Sequence, residues 1–198
     1  MLDRLTPLIS SPWLYVVVFA IVAVDGFIPA MPSDPVVIGL AALSAGGPPD
    51  VAVLAAVVIA GGMAGDRVAY LLGRGAGHRV RNAKLVQAKY KAGQALRRYG
   101  GGAIIVGRFL PYGRTATAMT SGSAAQPVAR FTLHTGLASV AWAAYAIGLG
   151  RLGGETFVDS PLLGAAFGMA LGMVVGITHT LVQRRRRSFA SAGTRITR

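Results

Sequence analysis

The chain has 198 residues, 53% of them apolar and 14% charged, with a formal net charge of +13 and a mean hydropathy of +0.54. About a quarter of a soluble domain's residues are charged, so this composition excludes an ordinary soluble domain and describes one integral membrane unit with no room for a separate soluble enzyme. The positive charge does not point to nucleic acid, because eight of the twenty Lys and Arg fall between Arg74 and Arg98 and six between Arg184 and Arg198, with no acid in either block. Basic clusters flanking apolar runs fit the positive-inside rule and anionic lipid headgroups better than DNA. The absence of cysteine removes disulfides and thiolate metal sites.

At the N-terminus, Asp3 offsets Arg4 ahead of an apolar run that begins at Trp13. No small-x-small cleavage site follows it, so the segment is expected to remain in the mature protein. The first apolar segment, 13–45, is broken by Pro29, Pro32 and Pro35, and carries Asp25 and Asp34 around the break. Only ten residues, Val36 to Ala45, remain after it, and they reach about 15 Å as a helix, half a bilayer. Segment 51–73 is long enough for a full span. The stretch 79–98 mixes Val80, Leu85, Val86, Tyr90 and Leu96 with cations, which reads either as an interfacial amphipathic helix or as a solvated basic loop. Segment 102–122 is broken at Pro111 and Gly113 and holds Arg108 and Arg114 on either side. Segments 128–150 and 161–183 are again long enough to span, and 184–198 is a basic tail.

With 74–98 on the cytoplasmic face, every basic cluster falls on that side, and the two broken segments open from opposite sides. The expected architecture is an all-α polytopic membrane protein. It contains two oppositely oriented re-entrant helical hairpins, three full transmembrane helices and a cytoplasmic amphipathic helix, arranged as an inverted repeat within a single domain, 1–183. Gly164, Gly168, Gly172 and Gly176 make a smooth stripe on the last span, suited to packing within the chain or to a homodimer face. Gly73 to Gly77 lacks the spacing of a phosphate-binding fingerprint, and no nucleophile elbow, zincin motif or P-loop is present. His78, His134 and His179 are scattered, so neither a metal nor another cofactor is expected.

Charges within the broken segments are the strongest functional signal. An unpaired charge at mid-bilayer costs about 2.5–3.5 kcal/mol on the insertion scale, so four would cost on the order of 10 kcal/mol. The simplest pairing sets Asp25 and Asp34 against Arg108 and Arg114. Such a cluster can be purely structural. Read functionally, guanidinium forks match phosphate oxygens, and carboxylates that change protonation can release and recapture the arginines. Asp66 and Arg67 are expected to snorkel near the end of their span, with a supporting pair at the cytoplasmic exit as the alternative.

These residues resemble the DedA family, also called VTT-domain or SNARE-associated membrane proteins, over roughly residues 13 to 155. Asp25, Pro29 and Pro32-Ser33-Asp34 stand where the family carries an acid, a proline and Pro-Gly-Glu. Gly65-Asp66, Tyr70, Gly73-Arg74 and Gly77 look like the end of its glycine-rich span. The family's Arg-Phe-x-Pro-x-x-Arg is matched by Arg108, Phe109, Pro111 and Arg114, with Gly122 after it and Phe131 and Trp142 in the next helix. Asp replaces the usual Glu at both acidic positions, Ser33 replaces a glycine, and Thr135 stands where asparagine is common. The resemblance implies a non-enzymatic lipid translocase of the bacterial plasma membrane, moving undecaprenyl phosphate or a phospholipid with protons as the coupling partner. Arg108 and Arg114 would bind the phosphate, Asp25 and Asp34 would titrate and gate, and Pro29, Pro32, Pro111 and Gly113 would form the hairpin turns. The same broken helices would also suit an ion-coupled transporter of a small solute, or a structural protein whose basic segments recruit partners.

Overall fold

A computed structural model describes residues 11–28, 33–76, 83–110 and 112–156. Pro29, Pro32 and Pro111, the span 161–183 with its glycine stripe, and the basic tail lie outside these residues. The described residues form helices joined by turns and contain no strand. Among the described residues there are seven helices: α1 Pro12–Asp25, α2 Ser33–Leu43, α3 Val51–Ala76, α4 Ala83–Tyr99, α5 Gly102–Arg108, α6 Gly113–Ser123 and α7 Val128–Thr156.

Local chemistry sets the helix ends. Ser11 accepts a hydrogen bond from the Trp13 amide at 3.3 Å, and Pro12 occupies the first turn of α1, where its missing N–H costs nothing. Asp50 caps α3 through Oδ1, taking the Ala52 and Val53 amides at 2.8 and 3.0 Å. Gly100, at φ 56°, turns the chain between α4 and α5. Tyr112 adopts the same left-handed region at φ 61° immediately before α6.

The four short helices hold 14, 11, 7 and 11 residues. Even the longest reaches only about 21 Å, short of the roughly 30 Å of hydrocarbon. Among the described residues, Val51–Gly75 is the one stretch both long and apolar enough to cross a bilayer. Helix α7 is longer still, at 29 residues, but carries Thr132, His134, Thr135 and Ser139 along its length.

Packing exchanges the halves of the chain. Helix α1 lies on α3 and α5 on α7, each close to the long helix that follows it in sequence. In contrast, α2 packs on α7 and α6 packs on α3. Glycines permit both exchanged contacts: a Cβ on Gly73 would run into the Met119 backbone, and one on Gly150 into the Ile38 carbonyl. Gly73 and Gly150 stand at the same place along α3 and α7. Elsewhere on α3, Gly61 and Gly65 bring the α1 backbone at Phe19 and Ala23 into direct contact.

Two apolar cores result. One joins Val18, Val22, Val37, Leu54, Val58 and Trp142, and the other joins Tyr70, Leu85, Ile104, Met119 and Phe131. Tyr70 and Phe131 stack with ring centroids 4.7 Å apart. The outer surface is also apolar. Leu133, Leu137 and Val140 form an outward stripe at helical spacing on α7, and Leu71 and Leu72 face outward on α3. An apolar exterior on this scale is the surface of a protein solvated by lipid.

Residues 83–99 form a helix rather than a basic loop. It rests on α6 through Leu85 and Ala92, while Val86, Tyr90 and the cations Lys91, Arg97 and Arg98 remain exposed. Partial burial against that seam pushes the Lys89 ammonium below its ordinary range.

Candidate functional site

A layer of charge lies between the two cores, at the level of Asp66 on α3 and of Thr135 to Trp142 on α7. Arg108 ends α5 and Arg114 begins α6, so the left-handed turn at Tyr112 aims both guanidiniums at the same region of α3. Arg108 donates from Nη1 to Asp66 Oδ2 at 3.0 Å, with the two side chains 2% and 4% exposed. Arg114 donates from Nε to Asp66 Oδ1 at 2.6 Å and from Nη1 to Asp25 Oδ2 at 2.9 Å. Its Nη2 reaches the carbonyls of Gly62, at 2.9 Å, and Val22. Every nitrogen of Arg114 is therefore engaged.

Two cations and two anions thus balance within one network. The Thr135 hydroxyl donates to Asp66 Oδ2, and Ser33 Oγ donates to Asp25 Oδ2 at 2.9 Å. Thr115 Oγ1 donates to the Gly26 carbonyl at 3.0 Å, fastening α6 to the end of α1. The Arg108 guanidinium lies over the Trp142 ring, 5.1 Å from its centroid.

Two sequence expectations need correction. Asp34 does not join the cluster as an ion-pair partner. It is exposed in the first turn of α2, within electrostatic reach of both arginines and beside the Trp142 indole, and among the described residues it makes no ion pair. Asp66 takes its place. Nor does Asp66 snorkel: it is 2% exposed and is the hub of the network. Helix α3 continues to Ala76, which puts position 66 well inside the helix rather than near its end. Arg67, the next residue and so about 100° further around the helix, faces outward and donates to Thr132 Oγ1 at 2.9 Å, away from the cluster. Gly113 lies against the Gly107 carbonyl and the Leu110 side chain, at the tight junction between α5 and α6.

Gly62 and Ser139 had drawn no attention in the sequence. A Cβ on Gly62 would lie 2.6 Å from Arg108 Nη2 and 3.0 Å from Ser139 Oγ, so only glycine leaves space for the guanidinium. The available signal was periodic: Gly62 and Asp66 share one face of α3, and Thr135, Ser139 and Trp142 share one face of α7. Among the described residues no group of acids and histidines could hold a metal ion.

A helical protein with an apolar exterior and a charged network closed between two cores belongs to the class of membrane-embedded proteins. The chain belongs to the VTT-domain family, the DedA/SNARE-associated proteins: the VTT domain model matches residues 8–152. The family is membrane-associated and transporter-like. Neither curated proteins nor solved structures gave a match.

Proposed function

We propose that this protein translocates a phosphate-headed lipid, such as undecaprenyl phosphate or a phospholipid, across the bacterial plasma membrane. In this reading α1–α2 and α5–α6 are re-entrant hairpins opening from opposite sides, their tips meet near the midplane, and α4 lies on the cytoplasmic surface. Their short lengths and the exchanged packing of α2 and α6 on α7 and α3 support that arrangement.

One observation carries the functional reading. Arg114 is bonded at once to Asp25 of the first hairpin and Asp66 of α3, while Arg108 shares Asp66. The network is neutral as long as nothing enters it. An arriving phosphate adds negative charge, and in a low-dielectric layer that charge must be balanced. Asp25, whose side chain is 20% exposed against 4% for Asp66, is the carboxylate placed to accept a proton and let go of Arg114. Loss of the proton on the other side would restore the Asp25 charge, so that Arg114 no longer offsets the added phosphate and the lipid is expelled. Asp34, exposed nearby, would pass protons to and from Asp25.

Purified protein in liposomes tests this. Arg108→Ala and Arg114→Ala should each reduce lipid translocation by at least tenfold, and Asp25→Asn should flatten its pH profile. Wild-type rates in both arginine variants would refute the phosphate reading, and solute uptake without lipid movement would replace it with solute transport.

A further inference from the structure

The two arginines are not equivalent. Arg114 has donors committed to Asp25, Asp66, Gly62 and Val22. Arg108 uses only Nη1, toward Asp66; its Nε and Nη2 are buried and have no hydrogen-bond partner among the described protein atoms. Those two nitrogens form the side edge of the guanidinium, whose parallel N–H bonds match two oxygens of one oxoanion. A buried donor without a partner costs about 1–3 kcal/mol, and here there are two on a charged group.

The plane of this fork is fixed on three sides. Trp142 covers its face, Asp66 holds the opposite nitrogen, and Gly62 lies under Nη2. Ser139 Oγ borders the same position over Gly62 as Nη2 does, and it too is buried with no hydrogen-bond partner among the described residues. A space of about 10 Å³ borders Asp66, Arg108, Arg114, Thr117 and Thr135, room for about one water. A phosphate is larger than this space, so its entry must displace the side chains around Arg108.

We propose that Arg108 is the ligand-binding arginine, presenting Nε and Nη2 with the Ser139 hydroxyl to a terminal phosphomonoester, while Arg114 is a positioning residue that binds no ligand. This rests on the phosphate reading above and divides its labour. A guanidinium this deeply buried is reached by a phosphate at the tip of a molecule. A phosphodiester carries a substituent on both sides and would need a far wider opening.

Calorimetry on the purified full chain in detergent tests the division, with phosphatidic acid, phosphatidylcholine and inorganic phosphate as probes. Phosphatidic acid should bind, and phosphatidylcholine at least tenfold more weakly. Arg108→Lys keeps the charge but loses the fork and should weaken phosphatidic acid binding at least tenfold. Ser139→Ala should weaken it severalfold with no loss of thermal stability, since the deleted hydroxyl makes no hydrogen bond among the described residues. A merely structural Ser139 would leave affinity unchanged. Arg114→Lys should lower thermal stability while folded protein keeps its affinity within about threefold. If inorganic phosphate binds with the same dependence on Arg108, the headgroup alone is the ligand and the fork stands. If Arg108→Lys and Ser139→Ala bind phosphatidic acid as the wild type does, the fork is not the site, although lipid translocation could still proceed elsewhere. If the wild type binds none of the three while translocation is absent as well, the phosphate reading itself fails.

Discussion

Asp66→Asn is the most informative single change in this molecule. The substitution keeps the shape of the side chain and removes the one anion among the described residues that touches both arginines, at 3.0 and 2.6 Å. Arg108 would then sit 2% exposed with no carboxylate in contact, whereas Arg114 would keep Asp25. Breaking a buried ion pair from one side costs about 3–5 kcal/mol, because the remaining charge stays desolvated. For a chain of this size that corresponds to a fall in melting temperature of about 6–20 °C. Thermal unfolding in a fixed detergent measures it. Asp25→Asn should cost less, since Asp25 is more exposed and Arg114 retains Asp66. Adding Arg108→Met to Asp66→Asn should recover part of the loss by removing the stranded cation, a coupling of about 1–3 kcal/mol. An Asp66→Asn protein that melts within a degree or two of wild type, or a double variant less stable than the single, would show that Asp66 does not hold the network together.

Other outcomes follow from the same contacts. Gly73→Ala presses a Cβ into the Met119 backbone and should destabilise by about 1–3 kcal/mol, whereas Gly148→Ala, with nothing within 4 Å, should be neutral or stabilising by up to about 1 kcal/mol; unfolding of the two side by side checks the close approach of α3 and α6. Ser33→Ala deletes the donor to Asp25 Oδ2 and should cost about 1–2 kcal/mol, read in the same assay. If α4 lies on an anionic membrane surface, a Tyr90→Trp reporter should emit at shorter wavelength in nanodiscs containing anionic lipid than in neutral ones, and Lys91→Gln with Arg98→Gln should abolish the difference. Identical spectra in both would place that face in water.

Much of the architecture was legible because proline and glycine interrupt apolar runs in a way few folds tolerate. The break between Asp25 and Ser33 and that between Arg108 and Gly113 fall where the sequence put them, and the long helices begin at the expected Val51 and Val128. Asp25, Arg108 and Arg114 stood out because a charge in an apolar stretch must find a partner. Asp66 misled for the opposite reason. It sits beside Arg67 near the expected end of its span, which suggested snorkelling for both, whereas the helical turn separates residue 66 from residue 67 and sends one inward and the other out. Asp34 looked equivalent to Asp25, yet the exchanged packing of α2 on α7 leaves it at the edge of the network. Gly62 and Ser139 carry no charge, and their importance comes from what Arg108 brings to them.

The exchanged packing has a consequence for the chain as a whole. Helix α2 has its wall on the far half of the sequence and α6 on the near half, so neither 11–76 nor 83–156 owns a complete interior. Cut anywhere in residues 77–82, the two pieces should be insoluble or degraded when made separately and should rebuild a working protein when made together. Damage to one long helix would then be felt in both hairpins, not only in the one next to it in sequence.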